Sequence, residues 1–320
     1  MLNILTAERN GIIMNVTMYL WLLVGFILLI KGADYFVEAS SAVAKRLRIP
    51  SIIIGLTIVA FGTSAPELAV SVSASLAGNN DIAIGNVIGS NIFNLLVVLG
   101  VCGVIRPFPV RLRWDFVGSI LAGAVLLLMI LFDNNVSRMD GIILLVLFAG
   151  FVALTVRDAL TNRTAADENY KKMPLVKSIV YIVGGLAAIV FGGELVVDNA
   201  SLIASSFGLS QNFIGLTVVA VGTSLPELVT SVVAARKGEN GIALGNVIGS
   251  NIFNILMVLG LSAALNPMTV TTQSVIDTVC FIAFSVIGLF LCRSKLRLSR
   301  MEGAVLVLMY LGYMIYIVLR

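Results

Sequence analysis

Two short acidic motifs stand out in a chain that is otherwise poor in charge. G-T-S-x-P-E occurs at 62–67 and again at 222–227, each copy ending on a glutamate, Glu67 and Glu227. Downstream of each lies G-N-V-I-G-S-N-I-F-N, at 85–94 and 245–254. Proline removes a backbone donor and glycine weakens a helix, so the first motif should break its helix and free carbonyl oxygens. The second motif supplies hydroxyls and amides: Asn86, Ser90 and Asn94 fall at i, i+4 and i+8 on one helical face. Two carboxylates with neutral side-chain and backbone oxygens make a hard-oxygen site. Calcium takes about six to eight such oxygens at ~2.3–2.6 Å, magnesium keeps several waters, and soft metals prefer nitrogen or sulfur. The residue types therefore point to Ca²⁺ or Na⁺. Histidine is absent, which excludes a Ser-His hydrolase, an H-E-x-x-H protease and a His-lined zinc or copper transporter. Cys102, Cys280 and Cys292 lie scattered in apolar runs, without the spacing of a thiolate site or a disulfide framework.

Each motif also has a plainer reading. Ser64 and Glu67 have the S-x-x-E spacing of a capping box that would restart the helix after Pro66. That accounts for the local geometry. It does not account for a carboxylate at bilayer depth, which costs at least ~2.5–3.5 kcal/mol, or for its recurrence at Glu227. Gly85 and Gly89, with Gly245 and Gly249, read as close-packing positions of the G-x-x-x-G kind. Ser90, Asn94, Ser250 and Asn254 read as neutral ligands facing the broken helices. Asp34 and Glu38, like Glu194 and Asp198, are four residues apart on long helices. They read equally as a cation access route or as hydrated helix ends; Asp277 reads as interfacial.

The elements that must hold these residues lie in lipid. Of 320 residues 59% are hydrophobic and 12% charged, about half the ~25% charged that a soluble domain carries. Hydropathy predicts ten spans, at roughly 18–42, 50–77, 82–105, 114–132, 139–156, 175–204, 210–235, 241–265, 274–292 and 301–319. Seventeen of the 21 lysines and arginines fall in the loops after the odd-numbered spans, so those loops should be cytoplasmic and both termini extracellular. The net charge of +4 then reports topology rather than a nucleic-acid partner.

The polar stretch 157–174 reads as a cytoplasmic linker between a first repeat, 1–156, and a second, 175–320. Residues 54–100 and 214–260 match at an offset of 160, with 33 of 47 positions identical. Five spans per half is an odd number, so the second copy enters the membrane from the opposite side. The expected fold is an all-α polytopic membrane protein of ten helices in two inverted five-helix repeats, with broken second and seventh helices. Glu67 and Glu227 together carry two negative charges, which one Ca²⁺, two or three Na⁺ or two protons would offset. An empty doubly charged pocket is costly to occlude, which favours obligatory exchange over a leak.

The paired blocks resemble the alpha-repeats of the calcium/cation antiporter superfamily, in its sodium/calcium exchanger branch. The resemblance covers essentially the whole chain. It implies a core of the second, third, seventh and eighth spans, across which the long first and sixth helices slide. It assigns Ca²⁺ to Glu67 and Glu227 with Thr63 and Thr223. Na⁺ falls on the same residues with Ala60, Ser64, Ser90, Asn94, Ala220, Ser224, Ser250 and Asn254, in an exchange of three Na⁺ for one Ca²⁺. Some relatives carry aspartate where this chain has Asn254, which argues against potassium co-transport. The expected protein is a plasma-membrane Na⁺/Ca²⁺ antiporter and not an enzyme. It needs no cofactor beyond the transported ions, contains no regulatory domain, and is a monomer or weak dimer in the bilayer. Ca²⁺/H⁺ exchange is the main alternative. A passive cation channel and an intramembrane enzyme using the glutamates as an acid/base pair fit less well.

Overall fold

The computed structural model describes residues 2–110, 114–162, 173–208, 220–294 and 297–320. Helix α1 (Leu2–Leu47) opens the chain, and its stretch Val16–Leu47 is long and apolar enough to cross a bilayer. The next hydrophobic run is broken. Pro50 precedes α2 (Ser51–Ile54), a π-helical turn occupies Gly55–Val59, and α3 (Ala60–Thr63) stops at Ser64. Helix α4 (Ala65–Leu76) then departs at 49° to the part before it. Pro66 sits in the first turn of α4, where its missing N–H would have had no helical partner. The proline therefore starts the second half-helix instead of kinking a continuous one.

Helix α5 (Asn80–Phe93) runs through a π-helical turn at Asn94–Val98 into α6 (Leu99–Ile105). A two-residue strand, β1 (Phe108–Pro109), precedes α7 (Trp114–Asp133), and β2 (Asn135–Val136) precedes α8 (Arg138–Thr161). In the second half α9 (Leu175–Ser206) is followed by α10 (Ala220–Gly222), α11 (Leu225–Lys237) and α12 (Asn240–Ile252). A π-helical turn at Phe253–Leu259 leads into α13 (Gly260–Leu265), then β3 (Met268–Thr269), α14 (Thr272–Ser294), β4 (Arg297–Leu298) and α15 (Arg300–Leu319).

Among the described residues eight helices are long and apolar enough to cross a membrane, and the bent α2–α4 pair makes up to nine. The span expected at 210–235 is met by α10 and α11, while 209–219 lie outside the described residues. Helix α8 runs on to Thr161, through the first residues of the stretch read as a linker.

Burial separates an inner layer from an outer one. The apolar windows of Asn80–Ile105 and Asn240–Leu265 are 72% and 94% buried, against 17–39% for the other spans. These two spans fill the centre, and the rest turn leucines and isoleucines to lipid. Helices α1 and α9 cross at glycines: a Cβ on Gly25 would lie 2.9 Å from the Gly192 carbonyl, and one on Gly32 would lie 2.8 Å from that of Gly185. Contacts that run 25 with 192 and 32 with 185 make the two helices antiparallel, and only glycine permits so close an approach. The strand pairs close the ends of the bundle. Phe108 pairs with Leu298, and Val136 with Met268, each antiparallel and each joining the two halves.

Candidate functional site

Each half-helix break sets its motif by the same backbone geometry. Ser64 has φ −87° and ψ 11°, and Ser224 has φ −93° and ψ 6°, both in the sparsely populated bridge region where turns and site residues gather. The glutamate three residues on then lies in the first turn of the next helix, with its carboxylate fully buried. Glu67 and Glu227 are each 0% exposed. A buried carboxylate needs hydrogen-bond donors, and the source of these donors departs from the expected capping box. Neither Ser64 nor Ser224 bonds its own helix N-terminus through its side chain. Ser64 Oγ donates to Glu227 Oε1 at 2.7 Å, and Ser224 Oγ donates to Glu67 Oε1 at 3.1 Å. The S-x-x-E spacing predicted a bond within each motif; the serines instead exchange partners between repeats. A bond to a charged carboxylate, ~1.5–3 kcal/mol net, outweighs a neutral cap of ~1 kcal/mol.

The second motif completes the pair. Ser90 Oγ donates to Glu67 Oε1 at 3.3 Å, and Ser250 Oγ to Glu227 Oε1 at 3.5 Å. Each carboxylate thus uses one oxygen on two serines, one from each repeat. Asn86 Nδ2 donates to Ser71 Oγ at 2.8 Å and to the Glu67 carbonyl at 3.3 Å, and Asn246 repeats this with Ser231 at 2.9 Å and Glu227 at 3.4 Å. The threonines bridge between repeats as well: Thr63 Oγ1 donates to Asn246 Oδ1 at 3.0 Å, and Thr223 Oγ1 to Asn86 Oδ1 at 3.4 Å.

Of the residues singled out from sequence, Thr63, Ser64, Glu67, Ser90, Thr223, Ser224, Glu227 and Ser250 are thus joined in one buried network. Asn94 and Asn254 sit one helical turn beyond Ser90 and Ser250, also fully buried. Ala60 is buried and its carbonyl accepts from the Ser64 N–H at 3.0 Å. Ala220 begins α10, and its side chain lies outside the described residues.

Among the buried oxygens without a protein hydrogen-bond partner in the described residues are four on residues singled out from sequence: Glu67 Oε2, Glu227 Oε2, Asn94 Oδ1 and Asn254 Oδ1. Buried oxygens left unpaired are costly, and they mark places where an ion or water completes the set. All four are acceptors of the hard-oxygen kind. Among the described residues no three of His, Cys, Asp and Glu converge, so a cation held here would rest on two acids and neutral oxygens.

The acidic pairs on the long helices stand apart. Glu38, Glu194 and Asp198 are exposed, and Asp34 pairs with Lys237 at 2.7 Å. Asp277 is mostly buried and clamped by Arg320 at 2.7 and 2.8 Å, a bidentate pair that ties α14 to the end of α15. The glycine expectation holds for Gly249, where a Cβ would come within 2.8 Å of Leu56, and for Gly245, where it would meet the Ile52 carbonyl. For the counterparts in the first repeat, Gly85 and Gly89, nothing among the described residues lies within 4 Å of an added Cβ, so close packing is not seen there. Sequence reasoning missed Asn91, whose amide bridges the two central spans, and the π-helical turns that begin at Asn94 and Phe253. An amide repeated within an apolar run, at 91 and 251, was the available signal for the first.

Known proteins share this arrangement. The family model of the sodium/calcium exchanger protein matches residues 17–157 and 177–319. The sodium/calcium exchanger MaX1 of Methanosarcina acetivorans is 35% identical over an alignment 345 positions long, covering 93% of this chain and 97% of its own. The inner membrane protein YrbG of Escherichia coli is 41% identical over 262, covering 77% and 79%. A solved structure of the sodium-calcium exchanger NCX_Mj, soaked with Na⁺ and Ca²⁺, superposes with a TM-score of 0.83 at 33% identity, over 93% of this chain and 98% of that one. With both halves matched by the family model and both central spans folded around the duplicated motifs, the chain belongs to the sodium/calcium exchanger protein family.

Proposed function

We propose that the protein is a secondary active antiporter that exchanges Na⁺ for Ca²⁺ across the plasma membrane by alternating access, and that it is a carrier and not an enzyme. The observation that carries this reading is the set of four buried acceptor oxygens, on Glu67, Glu227, Asn94 and Asn254, around two carboxylates whose other oxygens are held by serines from both repeats. Ca²⁺ suits the pair of acids directly. Na⁺ draws on the same acids together with Ser64, Ser90, Ser224, Ser250, the threonines, and the Ala60 and Ala220 carbonyls at the helix breaks.

The reading includes ten spans in two inverted repeats, with the seventh expected at 210–235. The antiparallel α1/α9 crossing and the reciprocal strand pairs support an inverted relation. The excess of basic residues then puts the 157–174 linker in the cytoplasm and both termini outside.

Exchange follows from charge. The carboxylates share partners across the repeat interface, so closing the site with both ionised and no cation would bury two uncompensated charges, at several kcal/mol per ion. A carrier loaded with Ca²⁺ or with Na⁺ escapes that cost and crosses; an unloaded one does not. Protons could compensate equally well, so the coupling ion is the quantity to test. Purified protein in proteoliposomes should take up ⁴⁵Ca²⁺ when loaded with Na⁺ inside, and not when a pH gradient is imposed without Na⁺. Uptake driven by the pH gradient alone would replace this reading with Ca²⁺/H⁺ exchange. Rapid uptake with no counter-ion at all would make the protein a channel.

A further inference from the structure

We propose that Asn91 is a positioning residue: it sets the side-chain amide of Asn254 so that this residue offers its oxygen to the ion, while the repeat counterpart Asn94 is left without any such restraint. The inference rests on the ion site described above and adds to it a difference between two residues that the sequence makes equivalent.

Both halves of the Asn91 amide are committed. Its Nδ2 donates to the Asn251 carbonyl at 3.2 Å, and its Oδ1 accepts from Asn254 Nδ2 at 3.1 Å. Asn91 and Asn254 are both 0% exposed, so no solvent competes for these bonds. Turning the Asn91 amide over would set its oxygen against a carbonyl oxygen and its NH₂ against another NH₂. It therefore has one orientation, and it transmits that orientation to Asn254. With Nδ2 spent on Asn91, the Asn254 oxygen is the end left free, and it has no protein partner among the described residues. The Asn251 carbonyl lies two residues before the π-helical turn Phe253–Leu259, where the wider helix changes the backbone register.

The 160-residue repeat predicts the mirror arrangement, with Asn251 bonding the Asn91 carbonyl and Asn94 bonding Asn251. It is not formed: Asn251 Oδ1 and both polar atoms of Asn94 have no protein partner among the described residues. Of the two polar atoms of a side-chain amide, only the oxygen can ligate a cation. An amide free to turn spends part of its time presenting NH₂, and binding must first select the correct orientation. Asn254 is held in that orientation before the ion arrives.

The test compares Asn91→Leu, Asn251→Leu, Asn254→Ala and the double variant Asn91→Leu/Asn254→Ala. Two readouts are taken: KM and kcat of Na⁺-driven ⁴⁵Ca²⁺ uptake in proteoliposomes, and the Kd for Ca²⁺ of the detergent-solubilised protein by calorimetry. Losing one neutral hydrogen bond predicts a rise of about three- to tenfold in KM and Kd for Asn91→Leu, with kcat retained. Asn251→Leu should change either by less than about twofold. The double variant should be no weaker than Asn254→Ala alone, because Asn91 acts through Asn254. Asn91→Ala, which adds no bulk, takes the place of Asn91→Leu if the latter is not recovered folded. Equal effects at 91 and 251, or effects at 91 and 254 that multiply in the double variant, would overturn the proposal. Failure of the unaltered protein to bind Ca²⁺ would overturn the exchanger reading itself, and with it the ligand role of Asn254; a wild-type-like Kd in Asn91→Leu overturns the Asn91 assignment alone.

Discussion

The turn that follows each broken helix is bonded differently in the two halves. In the second half the turn between α11 and α12 is charged and anchored to α1. Lys237 Nζ pairs with Asp34 Oδ1 at 2.7 Å, Glu239 pairs with Lys45 at 3.4 Å, and Ser41 Oγ also donates to Glu239. In the first half the corresponding positions are Ala77 and Asn79, both uncharged. That turn is tied elsewhere, to the end of the eighth span: Ser75 Oγ donates to the Ser262 carbonyl at 3.1 Å, Asn266 Nδ2 to the Ser75 carbonyl, and Asn80 Nδ2 to Thr269 Oγ1 at 3.2 Å. The turn of the second half is therefore clipped to a long helix by ion pairs, with Arg106 Nη1 also donating to the Arg236 carbonyl at 3.0 Å, and the turn of the first half is clipped core to core by neutral bonds. The two copies of the site are alike, whereas the charges at the turns differ between the halves. In the proposed cycle the long helices move across the core, so ion pairs between α1 and this turn stabilise the state in which they form.

The largest expected effect tests the part that is equal. Glu67→Gln and Glu227→Gln should each abolish calcium exchange, measured as ⁴⁵Ca²⁺ uptake, while the protein still elutes as a folded species on size exclusion. Appreciable transport in one variant and none in the other would break the equivalence of the two acids. Next come Ser64→Ala and Ser224→Ala, each of which removes a donor from the carboxylate of the opposite repeat. A hydrogen bond to a charged group predicts a loss of calcium affinity of about tenfold or more. The larger loss should be at Ser64, whose bond is 2.7 Å against 3.1 Å for Ser224. A larger loss at Ser224 would show that these distances do not rank the two sites.

Smaller effects separate the two faces. Asp277→Asn breaks the bidentate pair with Arg320 between two outer helices, α14 and α15, and should lower thermal stability by about 1–3 kcal/mol while leaving the calcium KM unchanged. Lys237→Ala should do the reverse. Its pair with Asp34 is partly exposed, so the stability lost is under about 1 kcal/mol and falls further at high salt. The ratio of calcium uptake to calcium efflux in oriented vesicles should nevertheless shift about two- to fivefold, since that pair exists on one face only. An unchanged ratio would mean that the ion pairs to α1 do not bias the two faces.

Much of this architecture is legible in the residues themselves. Hydropathy locates the helices because lipid requires long apolar runs with every backbone group bonded internally. The duplicated acids mark the site because buried carboxylates are too costly to repeat by chance. Proline at 66 and 226 places the breaks, both of which occur one or two residues earlier. What spacing misjudged is partnership. Ser64 and Glu67 are three apart and suit a capping box, as Ser137 with Asp140 and Ser299 with Glu302 do form at the starts of α8 and α15. Those two boxes cap helices of the outer layer. At Ser64 a carboxylate from the other repeat is within reach, and the charged partner wins. The acidic residues of the long helices show a related limit: their spacing leaves an access route and a hydrated helix end equally open and carries no sign of the lysine that pairs with Asp34, 203 residues away.

The sequence alone thus determined which residue types enter the membrane, in what order, and that they do so twice, because solvation and helix breaking act locally. Tertiary structure decided which copy serves which. The exchange of serines between glutamates, the single orientation of Asn91 and the charged clip on one face all depend on contacts between residues 157 or more positions apart. Identical motifs carry no record of such contacts, because each copy responds to the packing around it and not to its own spacing.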